Sequence, residues 1–174
     1  MNSIRTIVVP YDFSEHSDVA LDVADGLAQQ LDADLHLLHV LQPPSYVYSS
    51  EFGMGFSIGE DGDSRSIALD ACEERLDAVA ARCGTQLDRI RVHAVEGAGV
   101  ASSIDTEAGR LGADLIAMGT HGRSGLAHLL MGSVAEETIR CAPCPVLAVP
   151  RAPGPRVQAV KWETTRRRMG RSLA

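Results

Sequence analysis

The chain alternates five short apolar runs with longer stretches whose apolar residues recur at helical spacing. The first run contains Ile7, Val8 and Val9 in succession, which is typical of a strand buried on both faces. The predicted strands are residues 4–10, 35–41, 89–95, 113–118 and 146–149. The predicted helices are residues 15–31, 64–83, 100–111 and 133–141. Strands that alternate with amphipathic helices predict a parallel sheet with right-handed crossovers, and therefore an open α/β fold with helices on both faces.

Capping signals mark the ends of these helices. Ser14 is the predicted N-cap of the first helix, and Ser133 caps the last one. Gly84 is the predicted C-cap of the second helix, because glycine readily adopts left-handed backbone. The apolar stripe of the first helix is expected to face the core; it comprises Ala20, Val23, Ala24, Leu27, Ala28 and Leu31.

Size and composition favour one folded domain, predicted over residues 1–151. The chain has 174 residues and is 45% hydrophobic, which is enough for a sizeable core. No apolar run reaches the length of about 18 residues that a membrane span needs, so no membrane is expected. The first residues lack the features of a signal peptide, which favours a cytoplasmic location.

Charge is distributed unevenly along the chain. Residues 1–150 carry nine arginines and 22 acidic residues, a net charge of −13, whereas residues 151–174 carry seven basic residues and one acid, a net charge of +6. The acidic body is a poor partner for nucleic acid, because phosphate backbones need a broad basic surface. The tail, residues 152–174, is predicted to be a flexible solvated segment, with binding to an acidic partner as the alternative.

The four cysteines fit a reducing compartment. Cys72 and Cys83 share one face of the second predicted helix and are expected to be reduced core thiols. Cys141 and Cys144 form a C-x-x-C sequence, which is compatible with redox or zinc chemistry. It lies just before a strand and not at the start of a helix, and no second pair of ligands has zinc spacing, so neither use is expected.

Residues 42–63 differ in character from the rest of the chain. They contain Pro43-Pro44, several glycines and four of the six Tyr and Phe residues. Long loops of this kind are usually functional or disordered. Two interpretations stay open, a mobile flap near a binding site and simple disorder.

The connection after the fourth strand points to phosphate. It contains Gly119, Gly122, Gly132 and Ser133, and at some thirteen residues it exceeds the about two to six that such connections usually need. Glycines let backbone N–H groups approach a ligand closely, and the following helix adds its positive dipole end. The loop's arginine, Arg123, is the predicted counter-charge for phosphate, with an exposed arginine that pairs with nothing as the alternative. The alternative is a plain strand-to-helix connection.

The turn after the first strand adds a carboxylate, Asp12. In open α/β sheets, ligands lie beyond the carboxyl ends of the strands where the strand order reverses. An order of 3-2-1-4-5 would bring Asp12 and the glycine loop to one crevice. A carboxylate suits the hydroxyl pair of a ribose, with a purely structural turn residue as the alternative. Tyr11 either lines the pocket or packs, and His36 and His39 are expected to be structural.

These motifs together resemble the ATP-binding universal stress proteins. Gly119-x2-Gly122-x9-Gly132-Ser133 is similar to their G-2x-G-9x-G-(S/T) signature. Residues 7–14, 38–40 and 142–149 resemble their first strand and turn, the end of their second strand and their last strand. The resemblance covers about residues 3–151.

The resemblance implies a Rossmann-like sheet of five parallel strands in the order 3-2-1-4-5, of the adenine nucleotide alpha hydrolase type. It implies ATP, which can bring Mg²⁺ with it, and a homodimer paired through the last strand, Val146–Val149. It also implies that Asp12 meets the ribose, that the Val40 backbone meets adenine and that the glycine loop cradles the phosphates. The implied nucleotide-binding residues are Pro10, Tyr11, Asp12, Val40, Met118, Gly119, His121, Gly122, Arg123, Gly132, Ser133 and Val134.

We therefore expect a nucleotide-dependent regulatory protein of the stress response, acting on an unidentified protein partner, rather than a dedicated enzyme. No catalytic residue is assigned, and the Walker sequence Gly-Lys-Ser/Thr is absent from the chain. A slow ATPase or a nucleotidyl transferase is the alternative. His121 would be the general base of the former, although a solvated loop histidine is the simpler interpretation. The latter usually carries His-x-Gly-His near the first helix, which this chain does not.

Overall fold

The computed structural model describes residues 3–42, 62–121 and 131–150. Its elements, in chain order, are β1 (Thr6–Pro10), α1 (Glu15–Leu31), β2 (Asp34–Leu41), α2 (Gly62–Ala80), a 3₁₀ turn (Leu87–Arg89), β3 (Ile90–Glu96), α3 (Val100–Leu111), β4 (Leu115–Gly119), α4 (Ser133–Cys141) and β5 (Val146–Val149). Three sequence predictions fall outside these residues: the loop between β2 and α2, the tail, and the pair Gly122 and Arg123.

The five strands form one parallel sheet in the order β3-β2-β1-β4-β5. The predicted fold and strand order are therefore confirmed. β1 is the central strand, and its Ile7 is paired with Leu35 of β2 and with Leu115 of β4. Because the strand order reverses at β1, the chain leaves the carboxyl ends of β1 and β4 toward opposite faces of the sheet, which opens a crevice between the two connections.

Alternate residues of the central strands face two separate cores. Ile7 and Val9 pack with residues of α1 and α2, whereas Val8 packs with residues of α3 and α4. All three residues are fully buried, as expected for a strand covered on both faces. None of the helices in the described parts of the chain is long and apolar enough to cross a membrane.

The start of α1 is as predicted, but its buried face differs from the predicted stripe. Ser14 is the N-cap, and it forms a reciprocal capping box with Ser17. Val23 is 39% exposed and Leu31 is 42% exposed, so the prediction is wrong at both residues. At about 100° per residue, Val23 lies roughly 120° from the centre of the buried face. Leu31 is the last residue of the helix. The buried residues of α1 are Ser17, Ala20, Leu21, Ala24 and Ala28.

The end of α2 also differs from its prediction, because the helix stops at Ala80 and Gly84 is not its C-cap. Beyond the helix, Cys83 N–H donates to the Ala80 carbonyl at 3.0 Å, a tighter three-residue turn. Gly84 N–H instead donates to the Asp25 carboxylate of α1 at 2.8 Å. Cys83 therefore lies outside the helix and is half-buried, while Cys72 is buried as predicted; all four cysteines are free thiols.

Candidate functional site

A cavity of about 330 Å³ opens at the carboxyl ends of β1, β2 and β4. The first turns of α1, α3 and α4 complete its wall. Its lining comprises Pro10, Tyr11, Asp12, Ser17, Leu38, His39, Val40, Gln42, Val100, Ile104, Met118, Gly119, Thr120, His121, Gly132, Ser133, Val134 and Ala135.

All the predicted site residues that the structure describes line this one cavity. They arrive from four separate segments, which the sheet topology brings together. Gly122 and Arg123 lie outside the described residues, so their predicted roles stay predictions.

Sequence reasoning missed the contribution of α3. Its first residue, Val100, and Ile104 one turn later line the cavity. Gly99 is the N-cap of this helix and forms no side-chain capping hydrogen bond. The pair Gly97 and Gly99 before the helix was the available signal, because glycines at a helix start often mark a close backbone approach. His39, expected to be structural, also lines the cavity, and its Nδ1 lies 2.7 Å from the carbonyl oxygen of Tyr11.

The turn after β1 holds the carboxylate of Asp12 at the cavity. Its Oδ1 accepts hydrogen bonds from the backbone N–H of Ser14, at 3.1 Å, and from the Ser14 hydroxyl. Between them, Phe13 has a φ of +63°, in the left-handed region. The turn therefore links the carboxylate of Asp12 directly to the cap of α1.

Tyr11 lines the cavity as a residue, but its side chain packs into the core under α1 and α2. Its hydroxyl donates to Asp18, and Nη2 of Arg82 lies 3.4 Å from the hydroxyl oxygen. Burial, together with the hydrogen bond to Asp18 and the negative charge of that carboxylate, raises the pKa of Tyr11 to about 12. The phenol is consequently neutral, and it anchors the turn after β1 to α1 and α2.

β2 extends past the end of β1, which exposes backbone groups to the cavity. The pairing of the two strands ends at Pro10 and Leu38, and the Leu38 carbonyl accepts from Tyr11 N–H at 2.8 Å. Successive residues of a strand direct their backbone groups to opposite neighbours. Leu38 faces β1, and Leu41 accepts from Gly97 on the β3 side at 3.0 Å. The N–H and C=O of Val40 therefore point toward the β1 side, beyond the last pair of the ladder.

The N-terminus of α4 forms the opposite wall, and its N-cap is Gly132. The prediction that Ser133 caps this helix is wrong, because Ser133 already has helical backbone as the first residue. Gly132 has no side chain to bond the first amides, so no side-chain cap forms. Gly132 N–H donates to the Thr120 carbonyl at 2.7 Å, which holds the start of α4 against the end of β4.

Gly119, at the end of β4, has a packing role besides its place at the cavity. A Cβ on this residue would lie 2.8 Å from the carbonyl oxygen of His16 in α1, closer than real Cβ atoms approach. The His16 ring lies beside His121, with 5.5 Å between the ring centroids. Nδ1 of His121 lies 3.0 Å from the Thr120 hydroxyl oxygen. Two imidazoles therefore stand next to the start of the glycine loop.

Clusters of three or more metal-ligating side chains are absent from the described residues. The C-x-x-C pair lies away from the cavity lining. Cys141 is the exposed last residue of α4, and Cys144 packs against the α3 and α4 core. Burial raises the pKa of the Cys144 thiol, and the negative charge of Asp114 raises it further. A raised thiol pKa disfavours the reactive thiolate.

The chain is similar to known proteins over nearly all of its described length. The Universal stress protein family matches residues 3–150. Universal stress protein MJ0531 of Methanocaldococcus jannaschii is 33% identical over 148 residues, which cover 85% of this chain and 83% of that protein.

Solved structures are similar as well. Hypothetical protein MJ0577 has a TM-score of 0.69 at 24% identity, covering 88% of this chain and 100% of the other. A universal stress protein in complex with cAMP has a TM-score of 0.56 at 25% identity, covering 87% of this chain and 100% of the other. The family match, the 33% identical relative and the shared fold agree, and the chain belongs to the universal stress protein family.

Proposed function

We propose that the chain binds an adenine nucleotide, with ATP as its main ligand, and acts in the cytoplasm as a nucleotide-dependent regulatory protein of the stress response. The observation that carries this proposal is the composition of one cavity. It combines the overhanging edge of β2 at Val40, the carboxylate of Asp12 and the amide-rich start of α4 at Gly132. These are groups of the kinds that suit a base, a ribose and a phosphate chain, respectively.

The base is proposed to lie against β2. Val40 offers an N–H donor and a C=O acceptor side by side, facing away from β3. Adenine offers an acceptor, N1, beside a donor, its amino group. The apolar side chains of Val100, Ile104 and Met118 line the same space and suit the faces of a purine.

The ribose is proposed to meet Asp12. A carboxylate has about four acceptor positions on two oxygens, and both hydrogen bonds from Ser14 go to one of them, Oδ1. Its negative charge would repel phosphate, so it belongs at the sugar end of the nucleotide.

The phosphates are proposed to lie at the start of α4, near Gly132, Ser133 and Val134. A helix N-terminus without a side-chain cap presents its first N–H groups and the positive end of its dipole. Gly119 and His121 border this space, and Gly122 and Arg123 are proposed to complete it. Mg²⁺ would be held chiefly by the phosphate oxygens and water, as it commonly is in nucleotide sites.

A slow ATPase is the second candidate function. The observation that favours it is His121, which lines the cavity and whose Nδ1 lies 3.0 Å from the Thr120 hydroxyl oxygen. Hydrolysis by pure protein that disappears in His121→Ala, with binding retained, would support this activity over a purely regulatory role.

Mass spectrometry of nucleotide retained through native purification tests the proposal, together with titration of emptied protein by ATP and GTP. We expect a retained adenine nucleotide and at least about tenfold tighter binding of ATP, a difference of about 1.4 kcal/mol. Val40→Pro removes the N–H that faces the base and leaves the pairing with β3, so it should reduce ATP affinity. Val40→Ile keeps that N–H and is the matched control. If Val40→Pro and Val40→Ile bind ATP with the same affinity, the proposed base contact is contradicted.

We also propose that a second copy of the chain pairs with β5, to form a homodimer. β5 is an edge strand of the described sheet, and edge strands readily accept a further strand. Val149 C=O faces β4, where it accepts from Thr120 at 3.0 Å, so the neighbouring Ala148 N–H faces outward. Ala148→Pro should therefore give a folded monomer in light scattering, whereas Ala148→Val should stay dimeric. A dimer that survives Ala148→Pro would place the interface elsewhere.

A further inference from the structure

Phe13 has a backbone conformation that bulky residues rarely adopt. Its φ of +63° lies in the left-handed region, where Cβ crowds the backbone. Asp32 also has a positive φ, but it is the C-cap of α1, a common place for this conformation. Phe13 instead lies between the carboxylate of Asp12 and the N-cap of α1. Strained conformations persist where surrounding contacts determine them, and they cluster at functional sites.

Three elements hold the Phe13 ring in place. The Tyr11 ring meets it edge-on, with 5.3 Å between centroids. The His39 ring from β2 lies 4.9 Å away, centroid to centroid. The guanidinium carbon of Arg75 in α2 lies 3.8 Å from the ring centroid, a cation–π geometry. Contacts from the turn after β1, from β2 and from α2 thus stabilise a conformation that the isolated residue disfavours.

This conformation determines where the Asp12 carboxylate lies. The hydrogen bond from Ser14 N–H to Asp12 Oδ1, at 3.1 Å, closes a ring of atoms that passes through the Phe13 backbone. A change of the Phe13 φ to the ordinary negative region would move the Ser14 N–H away from Oδ1. The carboxylate would then lose this backbone hydrogen bond, which helps to fix its position at the cavity.

We propose that Phe13 is a positioning residue, which acts through Asp12 to make the cavity discriminate nucleotides with ribose hydroxyls from nucleotides without them. Arg75 supports it from α2, so the strength of this discrimination depends on a helix outside the cavity lining. The inference rests on the proposed function, because it assumes that Asp12 meets the ribose.

The test compares Phe13→Ala with Phe13→Gly, using ATP and 2′,3′-dideoxy-ATP as probes in titration calorimetry. Both variants lose the ring, but only glycine adopts the left-handed conformation without strain. Phe13→Ala should weaken ATP binding about tenfold, because the binding-competent turn is less populated, and should reduce the preference for ATP over the dideoxy probe. Phe13→Gly should keep most of that preference. Arg75→Met should also reduce the preference for ATP over the dideoxy probe, but less than Phe13→Ala does.

Asp12→Asn distinguishes a failure of the proposed ribose contact from a failure of the role of Phe13. If Asp12→Asn keeps the wild-type preference for ATP, the proposed ribose contact itself is wrong. If Asp12→Asn loses the preference and Phe13→Ala keeps it, the contact stands and the role of Phe13 is refuted. If Phe13→Ala does not fold, as judged by circular dichroism, the decision falls to Arg75→Met and Phe13→Gly. An unchanged preference in Arg75→Met, or a loss in Phe13→Gly as large as that in Asp12→Asn, would overturn the inference.

Discussion

The carbonyl oxygen of His16 lies 2.8 Å from the position that a Cβ on Gly119 would take. The end of β4 and the first turn of α1 are therefore in backbone contact, and the first glycine of the loop signature is needed for packing before any ligand arrives. Gly132, the third glycine, differs, because a Cβ there would meet the Thr120 carbonyl oxygen at an ordinary 3.4 Å.

Gly119→Ala is expected to lower the free energy of unfolding by about 1–3 kcal/mol, because the new methyl group overpacks the contact with His16. Urea denaturation followed by circular dichroism measures the change. The matched control is Gly26→Ala in α1, where a Cβ would have nothing within 4 Å. This control should be more stable than wild type by about 1 kcal/mol, since alanine is the better helix former. Similar effects of the two substitutions would contradict the packing role of Gly119.

Gly132→Asp is expected to weaken ATP binding by at least about tenfold relative to Gly132→Asn, as measured by titration calorimetry. Aspartate and asparagine are both favoured N-cap residues of nearly equal size, and Gly132 has a φ of −74° that either can adopt. Only aspartate adds a negative charge where the phosphates are proposed to lie.

The affinity for adenosine, which has no phosphate, should be the same in these two Gly132 variants. If aspartate and asparagine weaken ATP equally, the phosphates do not lie at the start of α4.

A hydrogen-bonded pair of histidines is expected to make stability depend on pH. Nδ1 of His36 in β2 lies 2.9 Å from Nε2 of His93 in β3. Burial lowers the pKa of both, and the His93 charge lowers the pKa of His36 further. The unfolded chain then binds more protons than the folded one. The contribution of the neutral pair to the free energy of unfolding is therefore fully present above the ordinary histidine pKa of about 6.5, and it decreases as the pH falls below that value.

Urea denaturation between pH 7.5 and pH 5 should therefore show a decreasing free energy of unfolding. The double variant His36→Gln, His93→Gln should show a smaller decrease over this range. Charged groups around the pair are Asp34, Arg91, Arg110, Glu107 and Glu73. An equal decrease in wild type and double variant would assign the pH dependence to other groups.

Asp25→Ala is expected to lower the free energy of unfolding by about 2–4 kcal/mol, because hydrogen bonds to a charged group are strong and their donors would be left without a partner. The carboxylate accepts from Gly84 N–H at 2.8 Å and from the N–H and hydroxyl of the buried Thr85 at 2.9 and 2.6 Å. Asp22→Ala, an exposed position of the same helix, is the control and should change stability little.

Asp25 should also contribute to acid denaturation. Burial acts to raise its pKa, but the hydrogen bonds from Thr85 and Gly84 outweigh it and lower the pKa below the ordinary value. The stabilisation is present above the unfolded pKa of about 3.9 and is lost as the pH falls through the lower folded value. Asp25→Asn should therefore lose less stability than wild type on acidification. An identical acid response would show that Asp25 does not contribute.

Most of the fold was predictable from the sequence, because it depends on periodicity. Runs such as Ile7-Val8-Val9 are typical of strands covered on both faces, and all three residues are buried. Gly84 and Ser133 were predicted wrongly as caps for a different reason. A cap residue is selected by competition between nearby partners, and at Gly84 the competing partner is Asp25 of another helix. Such a distant contact leaves no trace in local sequence.

In the site, too, some features follow from local sequence and others depend on contacts between distant segments. The residues next to strand ends, such as Asp12 and Gly119, were predictable because parallel strands bring their carboxyl ends to one edge of the sheet. The left-handed turn at Phe13 was not, since it depends on how helices pack over that edge. The contribution of α3 had only the glycine pair before that helix, Gly97 and Gly99, as a signal. Phenylalanine by itself favours negative φ, and the contacts of Arg75 and His39 that override this preference come from distant segments.

Thr120 uses both of its backbone groups to join separate elements. Its N–H donates to Val149 of β5 at 3.0 Å, and its carbonyl accepts from Gly132 at 2.7 Å. One residue therefore connects the start of α4, at the rim of the cavity, with β5, an edge strand of the described sheet. The amide proton of Thr120 is therefore a suitable spectroscopic reporter. A shift of the first turn of α4 changes the hydrogen bond to the Thr120 carbonyl, and a change at β5 alters the hydrogen bond from the Thr120 N–H.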